Sequence, residues 1–258
     1  MREVDWWIKM PQNFSELLDF YDEFQDKLFN YDKEIKIINN VLKEYSVKKI
    51  CDVGCGTAPH LIRLSQLGYE CFGIDRSEGM LKKAEEKAKI KGVTIKFIRA
   101  DIRDANSLKD WYEYFDCILW IRNTLPSITD MKIALRVQHN LLKRDGIIIF
   151  DVLHPEGNNS EREVLNMDVD KVKNIVRLNN FKIHKQKVEY DFVYFIQEQG
   201  TLKMVTDGMS FPLINLEDIL EIIKEVGFKY ERTIYEYSTI PGTKSTMILA
   251  RKEGIGNE

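Results

Sequence analysis

Three carboxylates, each closing a short apolar run, are the residues of this chain best placed to do chemistry. Asp52 sits in "KKICDVGCGTAP" just ahead of Gly54 and Gly56, Asp75 ends "YECFGID", and Asp101 ends "VTIKFIRAD". An aspartate can stand as counter-charge to a cation or accept hydrogen bonds from hydroxyl and amino groups. A glycine loop leading into a helix adds free backbone N–H groups. Together they suit a ligand that is cationic at one end and rich in donors along its length.

The surrounding elements would bring these groups together. Ile50, Cys51 and Val53 read as a buried parallel strand, and Gly54 and Gly56 break it. Pro59 fits the first turn of a helix carried by Leu61, Ile62, Leu64 and Leu67 and stopped by Gly68. A second strand runs from Tyr69 to Ile74, and "SEGMLKKAEEKAKIKG" is a helix. Val93–Ala100 is a third strand and "FDCILWI" a fourth. "TDMKIALRVQHNLLKRDG" reads as a helix closed by Gly146, followed by "IIIFDVL" as a fifth strand. Such alternation predicts an α/β fold with a doubly wound, mostly parallel sheet, its strand tips on the one edge where open sheets bind ligands.

The rest of the chain departs from that rhythm. Residues 172–211 contain β-rich runs broken by "LNN", "EQG" and "TDG", which predicts an inserted antiparallel meander, and the polar stretch 155–170 reads as a loop. "NLEDILEIIKEVGF" is a helix, and the two runs around "IPG" form a hairpin. The expected organisation is an N-terminal helical cap (1–45), a ligand-binding core (46–154), an inserted β region (155–212) and a C-terminal helix and hairpin completing the core (213–258).

The totals restrict the partners. With 258 residues, 44% hydrophobic and 31% charged, the chain has an ordinary globular composition, and a net charge of −3 gives no general attraction to nucleic acid. The opening "MREVDWWIKMPQ" has early acids and no long apolar stretch, and no segment approaches the roughly 20 apolar residues of a membrane span. A cytoplasmic protein without membrane or nucleic-acid partners is expected. Cys51, Cys55, Cys71 and Cys117 have no companion pair or histidine cluster to complete a metal site and read as buried, reduced, structural thiols.

Which ligand do the carboxylates await? A dinucleotide fingerprint would need glycine where Pro59 stands, and Asp52 would repel a pyrophosphate. An ammonium against Asp52 and a ribose on Asp75 describe S-adenosyl-L-methionine. "DVGCGTA" followed by "GIDRS" resembles motifs I and II of the class I S-adenosylmethionine-dependent methyltransferases, with Ala58 in place of the usual third glycine. The resemblance implies a Rossmann-like, seven-stranded sheet ending in an antiparallel hairpin, and turnover of the cofactor to S-adenosyl-L-homocysteine. It also implies that Asp52, Gly54 and Gly56 hold the methionine end and that Asp75, with Arg76 beside it, holds the ribose. Asp101 and the Ile102 amide would serve the adenine, with Met80 covering its face and Ile121 flanking the sulfonium.

The acceptor is less sharply written. "IRNTLPSITD" lacks the Asn/Asp-Pro-Pro-aromatic signature of enzymes that methylate DNA bases or glutamine amides. It looks more like the glycine and sarcosine N-methyltransferase branch, with Arg122 replacing a glycine, Ser127 a histidine, and Leu153 an arginine. A small-molecule acceptor methylated at an amine nitrogen is therefore expected. The alternatives are an O-methyltransferase using His154 or His184 as base, or a nucleotide-binding module without chemistry. Tyr21, Tyr31, Asn123 and His154 are the candidates nearest the methyl group, Arg122 and Trp7 candidates for holding the acceptor, and Trp6 and Trp7 for a lid.

Overall fold

The computed structural model describes residues 22, 25–26, 29–122, 128–155, 162–170, 174–184, 187–198, 200–237 and 243–253. Helix α1 (Tyr31–Glu44) opens under Asn30, whose side chain accepts from the Lys33 N–H at 3.0 Å, and buries Ile35, Ile38, Val41 and Leu42. Then come β1 (Lys49–Val53), α2 (Pro59–Gln66), β2 (Glu70–Asp75), α3 (Glu78–Ile90), β3 (Ile95–Arg99), the short α4 (Ala105–Leu108) and β4 (Phe115–Trp120). Helix α5 (Ile128–Leu141) leads into the long β5 (Leu142–Pro155). Four strands follow: β6 (Arg162–Asp170), β7 (Ile175–Ile183), β8 (Lys187–Glu198) and β9 (Thr201–Pro212). Helix α6 (Leu216–Glu225), β10 (Phe228–Tyr237) and β11 (Thr243–Lys252) complete the order.

The main sheet has seven strands in the order β10-β11-β5-β4-β1-β2-β3. Strands β1 to β5 are parallel, while β11 runs antiparallel to both β5 and β10. Side chains alternate between its faces. On one face Phe72, Ile118 and Phe150 meet Leu135 and Ile222 of α5 and α6; on the other Ile50, Leu119 and Leu249 meet Ile38 and Leu61 of α1 and α2. Both faces are covered, which is why the central strands are almost wholly apolar.

The second sheet is an antiparallel meander, β6-β7-β8-β9, docked through Phe181, Ile183 and Val188 against Leu153 and Leu213. The expected loop over 155–170 is corrected here: residues 162–170 form strand β6, paired along its whole length with β7. Helix α5 departs from expectation: it stops at Leu141, ahead of Gly146, because Leu142 already pairs with Phe115 of β4. The four cysteines are free and buried. Among the described residues no helix is long and apolar enough to cross a membrane.

Candidate functional site

The carboxyl edge of the sheet assembles around the loop after β1. Gly54, Gly56 and Ala58 all take left-handed backbone conformations, with φ of 69°, 53° and 58°. Glycine adopts that region freely, whereas alanine carries a cost of about 1 kcal/mol. The loop is stapled to β2: the N–H groups of Gly54 and Cys55 donate to the Ile74 carbonyl at 2.7 and 3.1 Å. Cys55 turns its sulfur toward Gly73 of β2, where any Cβ would lie 2.8 Å from it and from the Phe97 ring. Gly56 faces open space: a Cβ there would meet nothing within 4 Å.

Asp75, at the tip of β2, ties the loop from below. Its two oxygens accept from the Gly56 N–H at 2.9 Å and the Ser77 N–H at 2.8 Å. Burial pushes its carboxyl above the ordinary range, opposed by those backbone donors. Asp52 is 3% exposed and, among the described residues, has no hydrogen-bond partner. Burial, and next the neighbouring Asp75 charge, push its carboxyl well above the usual range, with Arg122 pulling the other way. A buried, unpartnered anion beside a second one is costly unless a cation joins it. Such a donor set, with an open glycine surface next to it, fits the ammonium and ribose of S-adenosylmethionine.

Asp101 follows β3 but is engaged within the protein. It accepts from the Arg103 backbone N–H, Nε and Nη2 at 2.9, 3.0 and 2.7 Å, and Arg103 Nη1 reaches Asp130 at 2.8 Å. The Arg103 hydrogen bonds hold the Asp101 carboxyl below its ordinary range. Met80 is buried in the first turn of α3, whose N-cap Ser77 accepts from its N–H at 3.3 Å, and Ile102 and Ile121 are buried at the same edge. Arg76 is exposed. Tyr21, Trp6, Trp7, Asn123 and Ser127 lie outside the described residues.

Beyond β4 the edge is closed by a network that sequence reasoning did not foresee. Arg122, with φ of 57°, stacks its guanidinium 3.4 Å over the Phe29 ring, and its Nη2 binds both oxygens of Glu34. Arg122 was expected to meet an acceptor; the structure instead gives its charge to a protein carboxylate that is 2% exposed. Burial alone would raise Glu34, but the His60 hydrogen bond and the Arg122 charge hold it below the usual range. Burial also depresses His60, whose Nε2 lies 3.0 Å from a Glu34 oxygen. Tyr31 packs edge-on against that ring, centroids 5.2 Å apart, in an interior position.

Asp151 of β5 joins the two ends of this wall. Its Oδ1 accepts from the Arg122 backbone N–H at 2.7 Å, and its Oδ2 from the Tyr237 hydroxyl at the end of β10. Burial raises its carboxyl, opposed by those donors. His154, further along β5, shares a 2.8 Å hydrogen bond between Nε2 and the Thr246 hydroxyl, and His184 lies 3.3 Å from Glu189 on the second sheet. His139 of α5 is half-buried against Gly227 and Phe228. Two signals for the missed residues were present: an acid inside "IIIFDVL", and Glu34 on the apolar stripe of α1.

Comparison with known proteins gives the family and the fold. A family model described as "Methyltransferase domain" matches residues 45–208. The glycine/sarcosine N-methyltransferase of Aphanothece halophytica is 31% identical over 144 residues, 53% of this chain and 54% of the relative. A carboxy-S-adenosyl-L-methionine synthase of Nitratiruptor sp. is 28% identical over 216 residues, 81% of this chain and 80% of that one. The chain spans about half the length of the first curated relatives it matches. Among solved structures, the sugar N-methyltransferase of Streptoalloteichus sp. superposes with a TM-score of 0.74 at 16% identity, covering 98% of both chains. With the family model spanning most of the glycine loop, the strand tips and the second sheet, the chain belongs to the class I S-adenosylmethionine-dependent methyltransferases.

Proposed function

We propose that the protein transfers the methyl group of S-adenosylmethionine to an amine nitrogen of a small molecule. Bound there, the cofactor supplies an electrophilic methyl on a sulfonium. Asp52 would hold its ammonium, the Gly54–Gly56 backbone its methionine end, Asp75 its ribose, and Met80 and Ile102 the adenine. Asp75 has acceptor capacity left after its two backbone bonds, since a carboxylate offers about four lone-pair sites. Asp101 would reach the adenine amino group only from an oxygen that Arg103 leaves room at.

The observation that carries the acceptor assignment is Asp151. It lies at the same sheet edge as Asp52, on β5, the strand next to β4. It is held by two donors and is incompletely covered. An anion so placed attracts a cationic acceptor and lowers the cost of delivering it; the amine must then lose its proton before attack. Orientation within a dry edge supplies the rest of the acceleration. The match to a glycine/sarcosine N-methyltransferase supports nitrogen over oxygen, and the Thr246 hydrogen bond on Nε2 of His154 leaves that ring poorly placed as a base for a hydroxyl. The test is turnover of S-adenosylmethionine with a panel of small amines and matched alcohols, read as S-adenosylhomocysteine release and product mass. Methylated amines are expected. Methylation of the alcohols alone would overturn the proposal.

A further inference from the structure

Arg122 holds a backbone conformation that its residue type does not favour. It stands two places beyond the end of β4, and its φ of 57° lies in the left-handed region that glycine enters freely and arginine avoids. The turn makes one contact that bears on the proposed chemistry: the Arg122 N–H donates to Asp151 Oδ1 at 2.7 Å. With the Tyr237 hydroxyl on Oδ2, that N–H fixes the rotation of the carboxylate. Both flanks of the turn are anchored, β4 before it and α5 after it. Relaxing φ would therefore turn the peptides between them, including the one that carries this N–H.

The side chain is what keeps the strained turn in place. The guanidinium carbon lies 3.4 Å from the centroid of the Phe29 ring and 4.8 Å from that of Tyr31. Its Nη2 binds both oxygens of Glu34, in the first turn of α1. His60 Nε2, 3.0 Å from a Glu34 oxygen, braces that carboxylate from α2. The Arg122 and Glu34 side chains are 16% and 2% exposed, so solvent weakens their attraction little. Helix α1 cannot yield either, since Ile38 and Leu42 fasten it into the core. The backbone cannot relax without drawing the guanidinium off its counter-charge, which strands a buried charge on each side.

We propose that Glu34 is a positioning residue for methyl transfer: through the Arg122 guanidinium it locks the turn after β4 and so aims Asp151 at the acceptor amine. The inference rests on the reading of Asp151 given above. Glu34 acts through the Arg122 side chain, and Arg122 through its backbone N–H. A glycine at position 122 would hold the same φ without strain, so it should make the clamp dispensable.

Suppression in the full chain tests this. Glu34→Ala is compared with two double variants, Glu34→Ala with Arg122→Gly and Glu34→Ala with Arg122→Ala. One readout is hydrogen exchange at the residue-122 amide, corrected for its intrinsic rate and set against the Ile118 amide of β4. The other is kcat/KM for methylamine, ethanolamine, glycine and glucosamine at saturating S-adenosylmethionine. Glu34→Ala should speed exchange at residue 122 at least tenfold and lower kcat/KM of the best amine about 100-fold. The glycine double variant should recover both to within about fivefold of the wild type. The alanine double variant keeps the strain and should stay about tenfold behind the glycine one. Where Glu34→Ala fails to fold, the two double variants, which strand neither charge of the pair, carry the comparison by themselves. Equal values in the two double variants, or wild-type exchange and turnover in Glu34→Ala, overturns the clamp. Asp151→Asn separates the clamp from the reading beneath it. Unchanged amine turnover in that variant overturns the acceptor role of Asp151 and the clamp with it; a loss there, with equal double variants, overturns the clamp alone.

Discussion

Replacing Asp52 by asparagine should move ligand-free stability and cofactor affinity in opposite directions. The side chain is 3% exposed, and its carboxyl is pushed well above its ordinary value by burial and then by Asp75. Asparagine keeps the shape and removes the charge. Relieving an unpaired buried charge should stabilise the ligand-free protein by about 1–3 kcal/mol, or about 2–10 °C in melting temperature for a chain of this size. The ammonium meanwhile loses a charge-assisted partner of about 1.5–3 kcal/mol, weakening S-adenosylmethionine and S-adenosylhomocysteine about 10- to 150-fold. The sign with pH follows from the raised carboxyl. Its favourable contribution is complete below the unfolded value of about 3.9 and is lost as pH rises through the folded value, so the asparagine advantage should vanish in acid and grow toward neutrality. Cofactor affinity in the wild type should rise over the same window, because the ionised form is the one that binds a cation. Melting curves without ligand and calorimetry with it measure both. A variant that melts lower and binds as before would refute the reasoning and make Asp52 a structural acceptor.

Asp75→Ala removes the ribose acceptor and the tie to the Gly56 and Ser77 N–H groups, and calorimetry should show S-adenosylhomocysteine bound at least tenfold more weakly. Glu34→Ala leaves the Arg122 guanidinium buried without its counter-charge; a loss of about 3–5 kcal/mol is expected in denaturant unfolding, and the double variant with Arg122→Ala should cost less than the single one. Gln138 of α5 is fully buried and neither atom of its amide has a partner among the described residues, so Gln138→Leu should raise the melting temperature, the desolvation penalty of a buried polar group being about 1–3 kcal/mol.

The parallel half of the fold is plain in the sequence because each strand is a short apolar run punctuated by glycine or aspartate, and burial on both faces permits nothing else. Strand β6 escaped notice because its pattern is inverted. Leu165, Met167 and Val169 point outward, while Asp168 turns inward to bond Arg177 Nη2 at 2.6 Å and Asn179 at 2.9 Å. Asp52 and Asp75 were legible through their place beside the glycines. Glu34, Asp151 and Tyr237 were not, since each is defined by partners at least 26 residues away in the chain. Arg122 illustrates the same limit: it read as a residue for holding the acceptor, and only the packing of α1 shows that its guanidinium meets Glu34.

Strand β11 follows every other described strand in the chain, yet it lies inside the sheet, between β5 and β10. Until Thr243–Lys252 leaves the ribosome, one long edge of β5 has no neighbour, and Tyr237 has no framework that would bring it to Asp151. The nascent chain can therefore shape its glycine loop early, but the opposite wall waits for β11. An open, apolar strand edge during that interval is a template for intermolecular pairing. Conditions that slow synthesis between β10 and β11 should cost soluble yield before they cost anything else.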